Sequence, residues 1–261
     1  CFEEARFKAM AEFRGVEFEG GSRTTNDDVT FEAAIFEGEA DFKLARFRFA
    51  DFKDASFRGK LNLDRAQFDA RADCHRIEVG GTATLERVEF RDGVTFDESR
   101  FDGDVIGIEA EFHGDADFVN TTFRSRVRFT EARFLEDATF REAEFQDAAI
   151  FRGTLFEGEA KHLEENACFD ETTFEALADF QSSSFTNGSF EDVTFHDESD
   201  FRESEFHNGV EFRVLSGGSA DTYVDLTQAT VEGGHIVVAA ESAAIYELKK
   251  ATTGDMSVES T

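Results

Sequence analysis

The sequence contains no proline and no tryptophan, and has only two methionines, two tyrosines and three cysteines in 261 residues. Without proline, every backbone N–H can donate, as a body with hydrogen-bonded neighbours on all sides requires. Cys1, Cys74 and Cys168 are too few and too far apart for a disulfide framework or a zinc-ligand spacing. No run of eighteen apolar residues occurs, so this stretch carries no transmembrane helix. Basic residues are outnumbered, 27 Lys and Arg against 57 Asp and Glu, for a net charge of −30. Phosphate contacts need a basic patch, and none is present, so direct nucleic-acid binding is not expected. Phosphate-binding loops, dinucleotide fingerprints, HExxH and GxSxG are all missing.

What the chain has instead is phenylalanine, 33 residues of it. Between Ala138 and Phe156, Phe140, Phe145, Phe151 and Phe156 follow one another at steps of five, six and five. A small residue stands two places before each: Ala138, Ala143, Ala149 and Thr154. Two such pairs of steps give a period of twenty-two, which runs through Phe68, Phe90, Phe112, Phe134 and Phe156. Helices want apolar residues at three and four, and long strands want continuous alternation. Small-x-Phe followed by polar residues is instead a very short extended piece and a turn, four per period. A coil of this kind buries its apolar side only by stacking on its neighbours, which predicts a solenoid. Glycine two places after Phe, at Gly15, Gly20, Gly38, Gly59, Gly103, Gly114, Gly153 and Gly158, is expected to supply positive φ at the turns.

Units such as Ala40-Asp41-Phe42, Ala50-Asp51-Phe52, Ala116-Asp117-Phe118 and Ala178-Asp179-Phe180 resemble the pentapeptide-repeat family, whose motif is Ala-(Asp/Asn)-Leu-x-x with Leu or Phe at the centre. The Phe-centred units alternating five and six residues resemble the haloarchaeal type. This resemblance implies an all-β, right-handed quadrilateral β-helix; the extra residue in every second unit should widen alternate corners. About ten coils at ~4.8 Å each make a rod roughly 45–60 Å long.

Along the chain, residues 1–212 read as the Phe-ladder β-helix, with loops near 19–28 and 157–168, a loop at 213–222, and further aliphatic-core coils at 223–261. The breaks at GGSRTTNDD, EGEAKHLEENAC and SGGSAD are the places where a binding surface could be built on a rigid scaffold. Phe49 lies off register and is expected to be exposed or in a corner. From Leu61 to Leu85 the core positions become Leu63, Cys74, Val79 and Leu85, which predicts a slimmer section or neighbours that fill it. Position 107 should be a core position but is Gly107, flanked by Ile106 and Ile108. His162 falls on the register of Phe118 and Phe140. In the tail, Val224–Ala229 aligns with Tyr246–Ala251 at twenty-two, with Val231, Ile236, Val238 and Ile245 as core. Phe2 already stands at a core position and no polar cap closes the tail, so the chain reads as a fragment; as a mature N-terminus, Cys1 could also carry a lipid.

On function, no catalytic, cofactor-binding or metal-binding residue emerges, and an enzyme is not expected. The six histidines are scattered and no two lie twenty-two apart: His113 would face Arg91 and Leu135. The leading reading is a non-catalytic structural or protein-interaction module with an unidentified protein partner. It would be cytoplasmic and, through flanking segments, the soluble part of a larger membrane-linked protein; a dimer is left open. The acidity reads first as salt adaptation. The resemblance also offers an alternative, an acidic DNA-mimic regulator of DNA gyrase or another topoisomerase, because some family members that protect gyrase from quinolones are thought to imitate DNA phosphates.

Overall fold

The computed structural model describes residues 1–19, 29–158, 167–208, 210–216, 222–239 and 244–259. Within them the chain is a parallel β-solenoid with no helix. Four ladders of mostly two-residue strands run along it, and the chain visits them in turn. The first begins at Arg6–Phe7, the second at Ala11–Glu12, the third at Glu17–Phe18 and the fourth at Val29–Thr30. All pairings are parallel and join a strand to its counterpart in the next coil, as Phe112 pairs with Phe134 and Phe134 with Phe156. The second ladder alone contains eleven strands. Four ladders per coil make the cross-section quadrilateral, with about twenty-two residues per coil, as the spacing predicts.

The repeat unit follows from simple requirements. The small residue and the Phe both point inward, and the residue between them points out. On the second and fourth ladders that middle residue is usually Asp, Asn or Thr. Its side-chain oxygen accepts the N–H two places on, as Asp41 does from Lys43 and Asp51 from Lys53, both at 3.0 Å. This local bond bends the chain into its turn. The second turn residue is then left-handed, at Glu131 (φ 57°), Glu142 (φ 57°) and equivalents along the rod. Gly15 and Gly153 sit at this position with φ 65°, but most of its occupants are not glycine. The expectation that the repeated glycines serve positive φ therefore fails for Gly38, Gly59, Gly103, Gly114 and Gly158; Gly20 lies outside the described residues. Gly38, Gly59 and Gly103 occupy the wider corner after the first ladder, where adjacent coils approach too closely for a Cβ. One added at Gly103 would stand 2.4 Å from the Gly81 carbonyl carbon.

The core is columns of stacked rings. Phe118 lies on Phe140 at 4.7 Å and 2°, and Phe140 on Phe169 at 4.9 Å and 3°. Rings of neighbouring columns meet edge to face, as Phe134 and Phe140 do at 6.1 Å and 81°, an arrangement that suits the aromatic quadrupole. On the first and third ladders, where the small position is Thr or Ser, its buried hydroxyl donates to a Phe or Cys carbonyl of the preceding coil. Thr121 reaches Phe96 at 2.8 Å, Thr154 reaches Phe129 at 2.7 Å and Ser183 reaches Phe151 at 2.6 Å. These polar groups are therefore satisfied inside the core.

Most irregularities in the sequence are absorbed without loss of register. At the Gly107 hole neither isoleucine turns in. The Phe129 ring leans across instead, occupying the space 2.5 Å from where a Cβ of residue 107 would be. Its stacking on Phe151 loosens accordingly to 5.8 Å and 23°. In the Leu63–Leu85 section the pairing continues. Ile77 and Val88 stand at small positions and replace part of the missing ring volume. A residual apolar void of about 10 Å³ remains among Phe52, Leu63, Cys74, Ile77 and Phe96. Cys74 is buried, as its register requires. His162 lies outside the described residues, and the rung above Phe140 belongs to Phe169. In the tail, Val224, Leu226, Ala229 and Val231 are buried, and Val224 pairs with Tyr246 as aligned. Ile245, expected in the core, is 52% exposed because it is the outward residue before Tyr246. The side chains of residues 236 and 238 lie outside the described set. The strand Val210–Ser216 carries parallel pairing, with a register shift between Phe190 and Val193 of its partner, into the stretch read as a break.

Candidate functional site

Each coil presents one outward residue per ladder at a fixed spacing, and most arginines spend their charge joining coils. Arg76 pairs with Asp54 at 2.6 Å, Arg87 with Glu109 at 2.8 Å and Arg91 with Asp69 at 2.8 Å, each twenty-two residues away and each exposed or half-exposed. Exposed pairs of this kind contribute little individually. With more than twice as many acids as bases, repulsion remains the larger electrostatic effect. Stability is therefore expected to rise between millimolar and molar salt, as screening shortens the Debye length to ~3 Å; a thermal midpoint that falls or stays flat across that range would contradict this.

Among the described residues no group of three or more His, Cys, Asp and Glu could hold a metal ion. One nucleophile–base contact does form that the spacing analysis missed: Ser184 Oγ lies 3.0 Å from His207 Nε2, twenty-three residues apart. His207 Nδ1 is 3.7 Å from Glu232. A search for twenty-two-residue partners skips this pair because the histidine stands in the corner, two places after the outward strand residue. Among the described residues the pair has no evident oxyanion site. The N–H groups of Ser184, Thr186 and His207 are all bonded to carbonyls of the preceding coil, so none is free to stabilise a tetrahedral intermediate.

The break segments proposed as binding surfaces fall mostly outside the described residues. The structure places a groove elsewhere, along the corner between the third and fourth ladders. A recess of about 590 Å³ is lined by Glu17, Phe18, Glu19, Arg46, Arg48, Phe49, Asp69 and Ala70. A second, of about 260 Å³, continues from it past Asp51, Arg71, Asp73 and Asp92, with Phe49 and Ala70 shared. Phe49 is half-buried in this corner. Of the 33 phenylalanines it alone makes no ring–ring contact among the described residues; the Arg48 guanidinium stands over it, 5.9 Å from the ring centre. Asp51 and Asp73 are register partners on adjacent coils. Burial, with Asp73 beside it, raises the Asp51 carboxyl above the usual range, although the Lys53 N–H opposes this.

Further along the fourth ladder, Arg71 reaches over two coils to Asp117 at 3.0 Å. Burial pushes the Asp117 carboxyl up to about 6, reinforced by Asp97 and opposed by Arg71. Its folded-state value lies above the unfolded one, so the folded state holds the proton more tightly. This contribution to stability is fully present below pH ~4 and is lost as pH rises through about 6. Asp117→Asn should therefore gain stability relative to the parent as pH rises from 4 to 7. A constant difference between the two denaturation midpoints across that range would refute the assignment.

The family model for pentapeptide repeats (9 copies) matches residues 31–78, 108–155 and 162–213, more than half of the chain. No curated protein and no solved structure matches the chain.

Proposed function

The chain belongs to the pentapeptide-repeat family, and on that premise we propose that it is a non-catalytic structural and protein-interaction module. The supporting observation is the parallel register that the four ladders keep from coil to coil, apart from shifts between Phe190 and Val193 and between Val231 and His235, which sets outward side chains in columns on rigid faces. Such faces offer a preorganised surface to a protein partner at little ordering cost. Among the described residues, the Ser184–His207 contact has its neighbouring N–H donors already bonded to carbonyls, which leaves them unfit for acyl transfer. Among the described residues no helix is long and apolar enough to cross a membrane.

The test is photo-crosslinking in the native cell from one outward position on each face: Thr122 on the first ladder, Thr84 on the second, Gln67 on the third and Thr95 on the fourth. A discrete heavier species from one or two faces supports the module. No crosslink from any face, together with substrate turnover by the purified protein, overturns it. A crosslinked topoisomerase would select the DNA-mimic form of this reading.

A further inference from the structure

Phe49 breaks the rule that the rest of the chain obeys. Every other phenylalanine joins the stacked columns or the partly buried rings at the N-terminal end. Phe49 lies two residues after the rung at Phe47 and three before Phe52, so neither inward position is open to it, and its ring stays in the corner groove. The equivalent corner site of the next coil is Ala70, and of the following one Asp92. No structural demand of the coil explains an aromatic ring here.

The surroundings state what the ring can receive. Asp51, Asp73 and Asp92 each use one carboxylate oxygen to accept a local N–H: from Lys53 at 3.0 Å, His75 at 3.0 Å and Gly93 at 2.8 Å. None of the three has a cation at ion-pairing distance among the described residues, nor do Glu17 and Glu19 at the other end of the groove. The nearby arginines are committed: Arg46 to Asp69 at 2.8 Å and Arg71 to Asp117 at 3.0 Å. Arg48 is the exception, pairing with no carboxylate among the described residues and standing 5.9 Å from the Phe49 ring centre. The groove thus combines a half-buried aromatic face, carboxylates on both sides with no ion-pairing cation among the described residues, and a guanidinium 5.9 Å from the ring centre, at the outer edge of cation–π range.

We propose that the corner groove centred on Phe49 docks an extended, arginine-containing segment of a partner protein. This rests on the interaction-module reading and gives it a face and a chemistry. An arginine side chain lays its planar guanidinium on the ring and presents paired N–H donors to Asp51 or Asp73. An extended segment suits two recesses continuous along the corner. Lysine, a compact and strongly hydrated charge, makes the poorer occupant. Arg48 acts as an internal placeholder that the incoming arginine displaces.

The experiment measures fluorescence anisotropy of a labelled short peptide alternating arginine and glycine, with a lysine–glycine counterpart, titrated with the full chain at low salt. The expected result is saturable binding of the arginine peptide, weakened about tenfold by Phe49→Ala and strengthened by Arg48→Gln. Asp51→Asn with Asp73→Asn should weaken it as much or more. Glu131→Gln with Glu142→Gln removes the same charge elsewhere and should leave it within about twofold. Equal losses in both double variants, or undiminished binding by Phe49→Ala, overturn the proposal and reduce the interaction to bulk charge. Equal affinity for the lysine peptide overturns the stacking mode. Phe49→Ala should keep the parent's thermal midpoint, so lost binding cannot be lost folding. If the peptide ignores the groove while a flat face still crosslinks a partner, this proposal fails and the module reading stands; if neither binds, both fail.

Discussion

Phe134→Ala is expected to lower the unfolding free energy by about 3–5 kcal/mol in chemical denaturation. Phe134 is buried, stacked on Phe112 at 4.5 Å and 7° and on Phe156 at 5.1 Å and 5°. Its edge contacts with Phe129 and Phe140 close the section on both sides. The cost should lie toward the upper end because the site cannot collapse: the backbone above and below is pinned by the ladder, so the emptied volume stays open. Phe49→Ala provides the contrast within the same molecule. With no ring partner and a half-exposed side chain, its loss should cost less than about 1 kcal/mol. A Phe134 variant as stable as the Phe49 variant would show that the columns do not carry the fold.

Gly103→Ala should cost about 1–3 kcal/mol, measured the same way. The added Cβ would meet backbone, 2.4 Å from the Gly81 carbonyl carbon and 2.5 Å from its oxygen, with no flexible side chain to yield. The coils would have to part at that corner, which strains the hydrogen bonds of the ladders on either side. Ser125 occupies the corresponding place one coil on and already carries a Cβ, its hydroxyl donating to Asp104 at 2.5 Å. Ser125→Ala should therefore cost under about 1 kcal/mol. Equal effects at the two positions would mean that the close approach at Gly103 does not exist in solution.

The period of twenty-two was legible because it is written twice, in the large residues and in the small ones two places earlier. Either record survives when the other lapses: at Leu63 and Val79 the rings give way, yet the strands keep their register. The glycines misled because composition gives the residue without its reason. Gly15 and Gly38 follow Phe at the same interval, but one turns left-handed and the other lets two coils touch. The difference lies in which ladder precedes the corner, and counting two residues past Phe does not register it. The groove was hidden for a related reason. Phe49 was visible as off register, but Glu17, Asp69, Asp73 and Asp92 come from successive coils and become its neighbours only once the coils are stacked.

The sequence by itself determined the repeat, the inward pairs, the parallel stacking and the acidic surface, because each of these follows from local spacing or from counting charges. Tertiary structure decided how Phe129 fills the space left by Gly107, which rung follows Phe140, and which carboxylates gather around Phe49. Those outcomes depend on contacts between residues one coil or more apart, where volume and charge are balanced only after the coils have closed on one another.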